Sequence, residues 1–163
     1  MIETGAQLTG RGRTISEADI TSFAALTGDW HPQHVDAEWA AESHFGERIA
    51  HGMLVLSYAF GLLPIDPDHV VALRAVRNVV FKRPVAIGTT IHADAEVAAI
   101  RPLDSDHHLV ELALRVRGAD GRLAVRGVIE VVWRGEGMPG DLSSNGVAGD
   151  LELSPFADGR VLA

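Results

Sequence analysis

Hydrophobic positions recur along this chain with two different periods. In residues 16–26, Ile20, Phe23, Ala24 and Leu26 follow helical spacing, and Ser16 with Asp19 three positions later has the pattern of a capping box, so a helix is expected. Gly28 follows closely and can stop it through a positive φ. Pro32 biases His31 away from helix, so residues 29–36 read as a turn or loop, and Asp36 reads as the N-cap of a short helix over residues 37–43. Residues 51–63 are apolar on every side except at Ser57 and Tyr58, the pattern of a helix buried all round, and Pro64 and Pro67 end it.

Beyond that helix the period drops to two. A strand runs through residues 78–81 toward Pro84. Ile91, Ala93, Ala95, Val97 and Ala99 then face one way, while Thr90, His92, Asp94 and Glu96 face the other. Val110, Leu112, Leu114 and Val116 alternate with Glu111, Arg115 and Arg117 in the same manner. Residues 118–121 make a hairpin turn, with Asp120-Gly121 tolerating positive φ, and a last strand covers residues 123–133. Residues 7–14 suit an edge strand or an extended arm. Consecutive strands after one buried helix predict an α+β fold in which an antiparallel sheet curls around that helix.

Composition bounds the rest. The 163 residues, 47% hydrophobic, suit one domain with a real core, at roughly 100 to 200 residues per domain. That domain is expected over residues 1–135. Residues 136–163 turn to Gly, Ser, Asp and Asn and read as a flexible tail, with Leu151, Leu153 and Phe156 as its candidates for docking. A net charge of −8 argues against nucleic acid as a partner. The first thirteen residues lack the basic and apolar regions of a signal peptide, and the longest apolar run falls short of the roughly 20 residues a bilayer demands, so no membrane partner is expected. With no cysteine there is no disulfide, thiolate metal site or Cys nucleophile, which fits a cytoplasmic location.

The candidate chemistry is concentrated in residues 23–53. Four of the eight histidines, His31, His34, His44 and His51, fall there beside Asp29 and Asp36. Asp29 and His34 flank a proline-containing loop, so a carboxylate and an imidazole can converge on one water as an acid/base pair, an arrangement worth about 100-fold to 10,000-fold in rate. Each taken alone suits a structural role better, Asp29 capping a turn and His34 bonded to backbone, and it is their company that favours chemistry. Gly52, at the start of the buried helix, can present an unpaired backbone N–H to a carbonyl gaining negative charge. His31-x-x-His34 with the two aspartates has metal-ligand types, but the intervening proline and the lack of a distant partner motif make a poor match, and no metal is expected. His44 and His51 read as supporting histidines, and Arg48 as a loop-ordering residue able to reach an anion. Arg74, Arg77, Lys82 and Arg83 form a basic spot that suits a phosphate-bearing carrier, or simply protects a sheet edge.

Three ordered motifs carry a resemblance: T-G-D-W-H-P-Q-H-V-D over residues 27–36, I-A-H-G-M over 49–53 and F-K-R-P-V over 81–85. Across residues 15–133 the chain resembles the MaoC-like hydratase family, the (R)-specific enoyl-CoA hydratases and related dehydratases. The resemblance implies a hot-dog fold, a homodimer or higher homo-oligomer with sheets joined edge to edge, and reversible syn addition of water to a trans-2-enoyl thioester of coenzyme A or acyl carrier protein. It implies catalytic roles for Asp29 and His34 and a backbone oxyanion donor at Gly52. His51, Arg48, Ser57, Phe60 and Arg83 are then the candidates for contacting substrate, with Ser57 and Phe60 touching the water or lining an acyl tunnel. No cofactor is expected, since hydration of a conjugated thioester transfers no electrons. His31 departs from the asparagine that many members carry before the proline. Two other readings stay open, a hot-dog thioesterase and a non-catalytic subunit that binds acyl thioesters.

Overall fold

The computed structural model describes residues 2–135 and 137–138. Strand β1 (Ile2–Glu3) leads into β2 (Gln7–Thr14), which forms an edge strand. Helix α1 (Glu17–Thr27) begins at a complete capping box: the Ser16 hydroxyl accepts the Asp19 N–H, and the Asp19 carboxylate accepts the Ser16 N–H at 2.8 Å. Gly28, at φ 79°, ends it in the left-handed region that an L side chain rarely adopts.

Residues 29–36 are more ordered than the loop expected from Pro32. Helix α2 (Pro32–Val35) is a single turn with the proline at its start, where the missing N–H costs nothing. His31 stays extended, as the residue before proline must, and acts as the N-cap. Asp36 caps α3 (Ala37–Glu42), accepting the Trp39 N–H at 3.0 Å. Helix α4 (Gly52–Leu62) then leads to the strands β3 (Val70–Phe81), β4 (Thr90–Pro102), β5 (His107–Gly118) and β6 (Leu123–Arg134).

These form a five-stranded antiparallel sheet ordered β2-β4-β5-β6-β3, curled against α4 in the hot-dog arrangement. A short strand β7 (Gly137–Met138) pairs in parallel with β1, so backbone pairing passes the boundary expected near residue 135. The rest of the expected tail, with Leu151, Leu153 and Phe156, lies outside the described residues.

The core joins Leu54, Val55, Leu56 and Ala59 of α4 to Ile91, Ala93, Ala95 and Val97 of β4, Val110, Leu112, Leu114 and Val116 of β5, and Ile129 and Val131 of β6. A bulge between Val97 and Ala99 shifts the alternation, so Ile100 and not Ala99 takes the next inward place. Because one sheet covers one side of α4, the opposite side is open in the single chain: Met53 is 56% exposed and Ser57 is also exposed. The expected all-round burial is therefore met along one side.

The far face of the sheet holds an ionic cluster. Glu130 lies between the inward residues Ile129 and Val131, so it points away from α4, yet it is fully buried by its partners. Arg74 pairs with it, Arg101 reaches it at 2.7 Å and Arg77 at 3.1 Å, while Arg77 and Arg101 also meet Glu111. Arg74 and Arg77, read from sequence as part of a ligand-facing basic spot, are thus engaged with carboxylates.

Candidate active site

The site forms where the end of α1, the turn α2 and the start of α4 meet. The left-handed Gly28 turns the chain so that the Asp29 N–H meets the Thr27 hydroxyl at 3.3 Å and the His31 N–H donates to Asp29 Oδ1 at 3.3 Å. Asp29 is therefore held by its own loop, with its side chain about half exposed. The α2 turn swings His34 inward to 4% exposure. Backbone bonds from Ile49 to Gln33 and from Ala50 to Val85 draw the segment before α4 against the same place.

His34 Nδ1 lies 2.7 Å from the Ile49 carbonyl oxygen. A carbonyl only accepts, so Nδ1 carries the proton and Nε2 offers a lone pair, which the Gln33 amide meets at 3.0 Å. Burial pushes the His34 imidazole below its ordinary range and neighbouring His51 adds to this, against the opposing pull of the Ile49 carbonyl. Near neutral pH the ring is an uncharged acceptor. One donor atom from each of Asp29, His34 and His51 lies within 4.8 Å of the others.

Gly52 opens α4, so its N–H has no acceptor within the helix. It lines a cavity of about 690 Å³ together with Asp29, His34 and His51. Phe23, Met53, Val55, Phe81 and Val85 supply apolar lining, and Lys82 and Arg83 supply cations. A Cβ at Gly52 would stand 2.8 Å from Phe81 Cε1, so glycine is what lets the aromatic wall approach the helix end.

Comparison with known proteins shows the family. The family model described as "MaoC like domain" matches residues 3–118. This chain belongs to the MaoC-like domain family. An (R)-specific enoyl-CoA hydratase of Aeromonas caviae is 36% identical to this MaoC-like chain over 110 residues, covering 68% of the chain and 80% of the relative. A mitochondrial 3-hydroxyacyl-[acyl-carrier-protein] dehydratase of Solanum lycopersicum is 31% identical over 119 residues, 72% of the chain and 69% of the relative. Among solved structures, a monoamine oxidase regulatory protein from Archaeoglobus matches with TM-score 0.78 and 38% identity, covering 83% of this chain and 92% of that one. An unliganded R-hydratase from Pseudomonas aeruginosa matches with TM-score 0.69 and 30% identity, over 91% of this chain and 93% of that one.

Of the residues singled out in the MaoC-like sequence, Asp29, His34, Gly52, His51 and Arg83 line the same cavity. Arg48, Ser57 and Phe60 do not line it. Arg48 pairs with Glu17 at 2.9 Å, Ser57 donates to the Met53 carbonyl at 2.8 Å, and Phe60 packs against the core. His31 meets the Trp39 ring edge-on, and His44 packs on Phe45. Gln33 and Phe81 were not singled out, although both stand within the quoted motifs; a glutamine gives no periodic signal, and Phe81 reads as an ordinary strand residue.

The metal set considered from sequence does not assemble, since Asp36 is occupied as a helix cap and His31 faces Trp39. Asp29, His34 and His51 do come together, but the two imidazoles are stacked, 3.8 Å apart with 25° between planes. Lone pairs in near-parallel planes do not converge on one ion at about 2.0–2.1 Å. No described helix is long and apolar enough to cross a membrane.

Proposed function

We propose that this chain catalyses the reversible hydration of a trans-2-enoyl thioester to an (R)-3-hydroxyacyl thioester. The observation that carries the reading is the meeting of the Asp29 carboxylate, a neutral His34 whose Nε2 is an acceptor and the Gly52 N–H on one apolar-walled cavity. The names of the hydratase and dehydratase relatives support it.

Gly52 N–H donates to the thioester oxygen, which draws electron density from the conjugated system and leaves the β-carbon open to attack. Water sits between Asp29 and His34 Nε2, where Gln33 now donates. A carboxylate and a neutral imidazole start with no proton to give. The proton taken from water as its oxygen bonds to the β-carbon is therefore the one returned to the α-carbon, and both additions occur on the face the two groups share. Syn addition follows from that. Dehydration runs the same steps backwards.

Lys82 and Arg83 at the cavity support a phosphate-bearing carrier, coenzyme A or the phosphopantetheine arm of acyl carrier protein. A homodimer joined through edge strand β3 and the open side of α4 is the assembly we favour. Val71, Leu73, Val76 and Phe81 on that strand and Met53 on the helix are all exposed in the single chain, Leu73 by 50%.

Crotonyl-CoA tests the reading: loss of enoyl absorbance with no thiol released supports hydration. Thiol release from saturated and unsaturated acyl-CoA alike would make the protein a thioesterase.

A further inference from the structure

His51 takes no proton in the scheme above, yet it is only 2% exposed and stands at the centre of the site. Its Nε2 lies 2.9 Å from the Asp29 backbone carbonyl oxygen, so this nitrogen carries the proton and donates. Its ring lies against that of His34, with centroids 3.8 Å apart and 25° between planes, and meets Phe23 of α1 at 5.1 Å. Its Nδ1 is buried with no hydrogen-bond partner. A buried ring placed only for packing needs no donor aimed at one carbonyl.

We infer that His51 is a positioning residue for the hydration, gripping the Asp29 backbone through Nε2–H while lying flat on His34, so that carboxylate and imidazole keep one spacing. This rests on the hydratase reading for its consequence, though not for its geometry. Gly28 and Pro32 shape the Asp29 loop at both ends, but the carbonyl bond to His51 is what ties its middle to the start of α4. A positive charge on His51 would repel one on His34 at ring contact, in a buried place where repulsion is weakly screened, and this helps hold the His34 pKa down.

The other charged groups facing the pair do not remove that repulsion. The Asp29 carboxylate, its Oδ2 4.0 Å from His51 Nε2, favours the charged form of His34 but does not outweigh burial. His31, the N-cap of α2 with its ring 6.3 Å from that of His34, opposes protonation of His34, and Lys82 and Arg83 are the cations lining the same cavity. Arg48 is paired with Glu17. His34 is thus held below its ordinary range and stays a base into mildly acidic solution.

Two variants separate positioning from packing. H51F keeps a ring against His34 and loses the donor; H51Q keeps an N–H at about the reach of Nε2 and loses the ring. If both fold with wild-type circular dichroism, kcat of H51F falls roughly 100-fold, the cost of a small misplacement of reacting groups, with KM changing less. H51Q recovers most of that loss, and the acid limb of its kcat/KM profile moves to higher pH because His34 no longer faces a second imidazole. NMR titration of the His34 ring without substrate moves to higher pH in H51Q as well. That readout needs no turnover, so a protein that hydrates no thioester would refute the proposed activity while leaving this test standing. Should H51F not fold, H51Q and the titration decide alone. Wild-type kcat in H51F, or a His34 titration unmoved in H51Q, would overturn the inference.

Discussion

His34 Nδ1 donates to the Ile49 carbonyl across 2.7 Å, which leaves Nε2 as the ring's only acceptor facing the cavity. The acid/base role assigned to His34 depends on that tautomer. His34→Ala should lower crotonyl-CoA hydration by about 100-fold or more with the fold retained. His34→Gln, which can keep a polar contact but cannot take a proton, should do no better. Steady-state rates with circular dichroism as control check both.

The same ring makes a stability prediction. Its pKa is lowered in the folded protein, so the unfolded chain binds the proton more readily. The stability linked to His34 is present above the unfolded value of 6.5 and is lost as pH falls through the lower folded value. Urea midpoints measured from pH 7 downward should fall, and should fall less steeply in His34→Gln.

Gly52 should tolerate no side chain. A Cβ there meets the Phe81 ring at 2.8 Å, so Gly52→Ala must push the aromatic wall or the helix end aside. We expect kcat to drop roughly 10- to 100-fold, with part of the loss recovered in Gly52→Ala/Phe81→Leu, where the wall has room to give. A single variant with unchanged kcat would show that the Phe81 wall moves aside without displacing the Gly52 N–H.

Much of this was legible in the sequence because local rules and tertiary structure agree. Ser16, Asp19, Gly28 and Asp36 act as the caps their residue types suggest, and β5 alternates from Val110 to Val116. Departures arise where a distant partner decides. The bulge after Val97 is set by pairing with β5 and moves Ile100 inward. Arg74 and Arg77 look like a ligand-facing spot until β6 brings Glu130 beneath them. Arg48 lies one residue before the Ile49 motif, yet its guanidinium turns to Glu17 on α1. Chain order placed Asp29 near His34, but only folding could show His51 lying flat on one and bonded to the other.

Asp19 ties three elements together, accepting from Arg13 at 2.7 Å on β2 and from the Tyr58 hydroxyl at 2.7 Å on α4 besides capping α1. Burial pushes its carboxyl up, but bonds from Tyr58, Ser16 and Arg13 outweigh that and hold it far below the usual range. Asp19→Ala should cost roughly 2 kcal/mol in urea unfolding, from a lost cap and lost charged hydrogen bonds. Because the folded pKa is depressed, the wild-type advantage should be full at neutral pH and shrink as pH falls below the unfolded value of 3.8.

Glu130 should matter to stability and not to turnover, since it lies on the sheet face away from α4. Removing it leaves Arg74, Arg77 and Arg101 crowded together without their shared carboxylate. Glu130→Ala should lose roughly 2 kcal/mol, less than the 3–5 typical of a wholly buried pair because the guanidiniums stay partly in water. Thermal melts and kcat on the same preparation check the two halves of this expectation.

The central claim is that Asp29 and His34 move one proton between water and the α-carbon of an enoyl thioester. Hydration of crotonyl-CoA in deuterated water, with product configuration and deuterium position read by NMR, tests it most directly. Wild-type protein should give (R)-3-hydroxybutyryl-CoA with deuterium added syn to the hydroxyl, and Asp29→Asn should give almost none. An anti or (S) product, or an Asp29→Asn variant working at the wild-type rate, would contradict it.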